Sequence, residues 1–84
     1  MEIKCNNYET KDIIKFMRDC SEKTQREFAN DVNKKRGWCA KLEGGETNIT
    51  LDTLIKLANI NGMEIIIKEK NKWFFLFITK TSWV

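Results

Sequence analysis

Apolar residues fall at helical spacing from Ile13 to Ala58 and switch to alternation from Met63 onward, so the pattern divides the chain into a helical part and a strand part. Ile13, Phe16, Met17 and Cys20 repeat at i, i+3, i+4, i+7, which predicts a first helix capped by Thr10 and ending near Cys20. The residues before it are polar and read as a short edge strand or a disordered arm. Thr24 and Glu27 have the spacing of a capping box, in which hydroxyl and carboxylate each accept from the other's backbone N–H; they open a short helix carrying Phe28, Ala29 and Val32.

That helix should stop at Asn33, a residue that tolerates left-handed backbone, and a third should run from about Lys35 to Glu43 until Gly44-Gly45 ends it. Cys39 and Leu42 are its inward positions. Thr50 caps a fourth helix, where Leu51, Leu54, Ile55, Leu57 and Ala58 form a broad apolar stripe closed by Asn61-Gly62. Beyond it, Met63, Ile65 and Ile67 alternate, Lys68 to Lys72 form a charged turn, and Trp73 to Thr79 follow, the pattern of a β-hairpin.

The second strand of that hairpin, Trp73 to Ile78, is apolar on both faces, and one small helical bundle covers only one of them. A twofold partner contributing an identical hairpin solves this economically, with Ile65, Ile67, Trp73, Phe75 and Phe77 as the dimerisation residues. The alternative is a hairpin folded wholly onto its own helices. The expectation is one domain over residues 1–84: a mainly α bundle of four to five helices over residues 10–62, then a dimerising hairpin over residues 63–84.

Composition narrows the function classes. A chain of 84 residues, 42% hydrophobic and 32% charged, with no proline, has the profile of a folded helical domain. Three cysteines, Cys5, Cys20 and Cys39, with no histidine, make neither a familiar zinc site nor a complete disulfide set, and read as thiols of a reducing cytoplasm. No metal or other cofactor is expected. The polar start has no apolar signal core and the longest apolar run is far short of a membrane span, so a cytoplasmic protein without membrane contact is expected. With no histidine, no phosphate-cradling glycine loop and no paired acidic cluster, no catalytic residue is assigned and an enzyme is not expected.

The formal net charge is only +3, yet Lys34, Lys35, Arg36 and Lys41 put four positive charges and no negative one on the third helix and the turn before it. By charge alone this stretch reads equally as a solvated basic face or as a nucleic-acid surface.

The segment Thr24 to Leu54 resembles the Cro/cI-type helix-turn-helix family, also called the XRE family, without a gap. The resemblance rests on Thr24-Gln25, Glu27 with Phe28-Ala29, Leu42-Glu43, Gly45, and Leu51 with Leu54. Asn33 stands where the family usually has glycine, Lys34 where an apolar residue is common, and Ile49 at a frequent proline position. The resemblance implies a lambda-repressor-like bundle in which the second motif helix enters the major groove of double-stranded DNA. The base-reading positions it implies are Lys35, Arg36, Gly37, Ala40 and Lys41, with Arg36 the best match to the O6/N7 edge of guanine. Thr24, Gln25, Lys34 and Trp38 are implied as backbone contacts, Gln25 holding a phosphate from a helix amino terminus. Trp38 has a second reading, as a shield of the helix from solvent. Gly37 weakens the helix, so it either lets the backbone approach DNA closely or leaves the helix firm only when bound.

The alternating C-terminal segment is also similar to the dimerising segment of HipB/HigA-type antitoxins. The function implied is a homodimeric repressor of a bacterial, phage or mobile-element operon, acting on a palindromic operator. The alternative is an antitoxin, or another inhibitor of a toxin or host-defence protein, that binds its target through the aromatic hairpin.

Overall fold

A computed structural model of the chain describes residues 1–70. Among these residues the fold is mainly helical: a short 3-10 turn, Cys5–Asn7, then α1 (Thr10–Cys20), α2 (Gln25–Asn30), α3 (Arg36–Glu43) and α4 (Leu51–Ile60). The amino-terminal stretch is therefore neither strand nor featureless arm. No strand is present among the described residues, and residues 63–69 carry no regular element where the first strand was expected. The expected second strand, residues 73–79, and with it Trp73, Phe75 and Phe77, lies outside the described residues.

The starts of the helices follow local chemistry. The Thr24 hydroxyl accepts from the Glu27 N–H and the Glu27 carboxylate accepts from the Thr24 N–H, which completes the capping box. Thr50 caps α4 in the simpler way, accepting from the Thr53 N–H. Two boundaries fall one residue from expectation: Glu9 rather than Thr10 occupies the cap of α1, and Lys35 is the cap of α3 rather than its first residue. Neither of these two makes a side-chain cap hydrogen bond.

Three helices, α1, α3 and α4, end the same way: a left-handed residue follows the cap, its N–H bonds back to the second-last helical carbonyl, and the next N–H closes a longer loop onto the carbonyl before that. In α2, which ends at Asn30 rather than at the expected Asn33, the same turn comes one residue later. The left-handed Asn33 lies two residues beyond the cap Asp31, its N–H bonds to the Asn30 carbonyl, and the Lys34 N–H closes onto the Ala29 carbonyl. The left-handed residues are Glu22, Asn33, Gly45 and Gly62. The longer closures are Lys23 N to Arg18 O, Lys34 N to Ala29 O, Glu46 N to Lys41 O and Met63 N to Ala58 O. Glycine meets this backbone requirement without strain at 45 and 62, and asparagine with little at 33. Glu22, at φ 55°, is the position the sequence does not announce.

The core is Ile14 and Met17 from α1, Phe28 and Ala29 from α2, Cys39 and Leu42 from α3, and Leu57 and Ala58 from α4. Ala29 is fully buried on α2, and the contact of α2 with α3 is the most extensive between any two helices among the described residues. Val32, Trp38, Ile49, Leu54 and Met63 are half-buried around this cluster. Two stripes are narrower or rotated relative to the periodicity. On α1 the deepest residue is Ile14, while Ile13 and Phe16 are half-buried and Cys20 is exposed. On α4, Leu51 and Ile55 are exposed, at 61% and 41%, because the bundle covers only the Leu57–Ala58 side of the stripe.

Candidate nucleic-acid interface

The candidate surface is the outward side of α3 together with the turn that leads into it. Lys34, Lys35, Arg36, Gly37 and Lys41 are all exposed, while Ala40 and Trp38 are half-buried. Trp38 packs against the core cluster, so its ring is in contact with the bundle rather than projecting freely. Thr24 is exposed, and its hydroxyl is engaged in the cap.

Two sets of cations around α3 contrast, apart from the exposed surface pairs Lys11–Glu9 and Lys56–Asp52. Arg18 and Lys23 are held by carboxylates close to the core: Arg18 grips Glu43 with Nε at 2.6 Å and Nη2 at 2.9 Å, and Lys23 Nζ lies 2.7 Å from Asp31. Lys34, Lys35, Arg36 and Lys41 have no acidic partner among the described residues. The contrast is sharpest along α3, whose first turn carries no acid and follows two lysines, while its last residue is a carboxylate. A helix amino terminus carries partial positive charge and its carboxyl terminus partial negative charge. Lys35 and Arg36 at the amino end and Glu43 at the carboxyl end of α3 therefore each oppose the helix dipole, at roughly 0.3–1 kcal/mol per residue, while Lys41 in the last turn complements it. At the carboxyl end Arg18 compensates. At the amino end nothing within the described residues does.

Glu43 is the junction that fixes α3 in the bundle. Its side chain is only 5% exposed and accepts from Arg18, from Gln25 Nε2 at 3.3 Å and from the Cys39 thiol at 3.2 Å. Burial alone raises its carboxyl pKa, but the hydrogen bonds from Arg18, Cys39 and Gln25, with the Arg18 charge, outweigh that and hold it below the ordinary value. The same bond to Glu43 raises the Arg18 guanidinium further, against the cost of its own burial. Arg18 Nη1 also donates to the Lys23 carbonyl at 3.0 Å, so one side chain ties α1, the α1–α2 loop and α3 together. Asp31 acts similarly at the other end, accepting from Lys23 and from Asn61 Nδ2 at 3.1 Å, which links the end of α2 to the cap of α4.

Gln25, expected as a phosphate clamp, is half-buried and gives one amide hydrogen to Glu43. Its head is thereby positioned from below, and the other hydrogen is not used among the described contacts. The sequence reading missed Glu43 as a site organiser. A signal was present, because a carboxylate in the last turn of a short helix opposes the dipole and needs a partner from elsewhere in the fold.

Of the expected dimerisation residues within the described part, Ile65 and Ile67 are exposed, at 40% and 95%. No helix among the described residues is long and apolar enough to cross a membrane. Comparison with known protein families, curated proteins and solved structures finds no match for this chain.

Proposed function

We propose that the protein is a sequence-specific DNA-binding protein of the helix-turn-helix class, and that it represses transcription from the cytoplasm as a homodimer on a palindromic operator. In this reading α2 lies across the duplex backbone and α3 enters the major groove. The observation that carries it is the charge of α3: Lys34, Lys35 and Arg36 crowd the positive end of a helix, exposed and without a carboxylate among the described residues. That arrangement is unfavourable in the isolated chain and becomes favourable against a polyanion, where lysine and arginine release condensed counterions.

Arg36 and Lys41 serve as base readers, Lys35 and Ala40 flank them, and Gln25 and Lys34 hold the phosphate backbone. Trp38, which packs on the core, supports the helix and offers at most its rim to a sugar. A dimer of this kind reads half-sites ~34 Å apart on one face of the duplex. Selection from a random duplex pool followed by titration tests the assignment. Arg36→Ala should weaken binding to the selected duplex by ~1–3 kcal/mol and relax one base preference, whereas Gln25→Ala should weaken all sequences alike. Binding that neither substitution changes removes the α3 assignment.

The exposed apolar residues favour a second reading, in which the protein also binds another protein, as an antitoxin does. Leu51, Ile55, Ile60 and Ile65 to Ile67 are exposed apolar side chains, the kind of surface that another chain covers. Light scattering separates the two uses of that surface: a stable homodimer consumes it, and a monomer leaves it for a different partner.

A further inference from the structure

Three internal reasons account for glycine at a given position: a left-handed backbone, a neighbour too close to admit a Cβ, or a turn that needs the freedom. Gly37 meets none of them. It lies in the first turn of α3, inside a regular helix, and is not among the positive-φ residues. Among the described residues a Cβ built on it meets no heavy atom within 4 Å, whereas one built on Gly44 comes within 3.2 Å of the Ala40 carbonyl. The position is exposed. Glycine there only weakens α3, since alanine is the better helix former and loses less backbone freedom on folding.

From this elimination we infer that Gly37 sets how closely α3 docks on DNA: the duplex surface comes into van der Waals contact with its bare Cα, and any side chain at 37 holds the helix away. The inference rests on the proposed function, because it takes the duplex as the body approaching α3. It adds that the affinity of the flanking cations depends on this gap. Lys34, Lys35, Arg36 and Lys41 reach phosphates and base edges in full only when the backbone between them is close, as Coulomb attraction and hydrogen bonding both fall off steeply with distance.

The test uses the full chain and a duplex enriched by it from a random pool, with Gly37→Ala and Gly37→Ser compared with the parent. Circular dichroism melting of free protein should give Gly37→Ala a midpoint a few degrees higher. Fluorescence anisotropy should show its affinity for the same duplex about tenfold weaker or worse, and Gly37→Ser weaker still, while the helical signal of both variants is kept. A Gly37→Ala affinity within about twofold of the parent would overturn the inference while leaving the DNA-binding reading intact. A lowered melting midpoint for Gly37→Ala would overturn it too, by revealing an internal need for glycine. Failure of the parent chain to enrich any duplex would overturn both.

Discussion

The inward side of α3 and its outward side use charge in opposite ways. Inward, every ionic group has a partner in the chain: Glu43 is gripped by Arg18 and receives two further hydrogen bonds. Outward, Lys34, Lys35, Arg36 and Lys41 stand exposed with no carboxylate near them among the described residues. The difference separates charges that build the fold from charges that the fold presents. A carboxylate at 5% exposure must be satisfied internally or the chain is destabilised, whereas a solvated lysine costs little and can wait for a ligand.

The largest effect should come from breaking the inward set. Glu43→Gln leaves the Arg18 guanidinium, only 19% exposed, without a countercharge, and should lower unfolding free energy by about 3 kcal/mol in urea titrations. Adding Arg18→Met to Glu43→Gln should recover much of that loss, since a neutral pair of similar volume has no uncompensated charge. The parent protein should also carry a pH signature of this carboxylate. Its folded pKa lies below the ordinary value of 4.5, so its contribution is present above that value and is lost as pH falls through the lower, folded one. Glu43→Gln should flatten this acid limb. A variant as stable as the parent, with an unchanged acid limb, contradicts the structural role of the pair.

How much of this was legible beforehand depends on how local the cause is. The Thr24–Glu27 box, the Thr50 cap, and the left-handed Asn33 and Gly45 each depend on a few neighbouring residues, and the sequence pattern identifies them. The rotation of α1 was not legible. Ile13 and Ile14 are both apolar, and only the position of the packed helices makes Ile14 the buried one and leaves Cys20 exposed. Nor was the Arg18–Glu43 pair, which joins residues 25 apart and has no local signature beyond a carboxylate at the unfavourable end of its helix. On the candidate surface, the exposure of Lys35, Arg36 and Lys41 was readable from charge and period. The anchoring of Gln25 on Glu43 required the fold.

Lys41 sharpens the comparison because it lies on the same helix as Glu43 and should behave in the opposite manner. Lys41→Ala removes an exposed charge with no internal partner among the described residues, so unfolding free energy should change by no more than about 0.5 kcal/mol. If Lys41 reads a base edge, as proposed, the same substitution should weaken duplex binding and relax one base preference. If it meets a phosphate instead, the substitution should weaken all sequences alike and lower the slope of log affinity against log salt by about one. Anisotropy titrations of several duplex sequences at several salt concentrations tell the two apart. An unchanged salt slope with unchanged affinity would place Lys41 away from the DNA.

The smallest effect separates the sides by reactivity rather than by energy. Cys39 is fully buried and donates its thiol hydrogen to Glu43, and burial first, then that bond and the Glu43 charge, push its pKa up to about 12. Cys5 and Cys20 are exposed. At about pH 8 the thiolate is the form that alkylates, so iodoacetamide should modify Cys5 and Cys20 in the folded chain and reach Cys39 only after denaturation, as mass spectrometry of the products can count. The linkage runs opposite to that of Glu43. The unfolded chain ionises this thiol from its ordinary 9.0 while the folded chain keeps the proton, so the contribution is complete below that value and disappears as pH rises towards about 12. Alkylation of Cys39 at the rate of Cys5 in the folded protein would mean that α3 opens away from Arg18 and Glu43, and that the inward side is not the fixed platform from which the outward charges are presented.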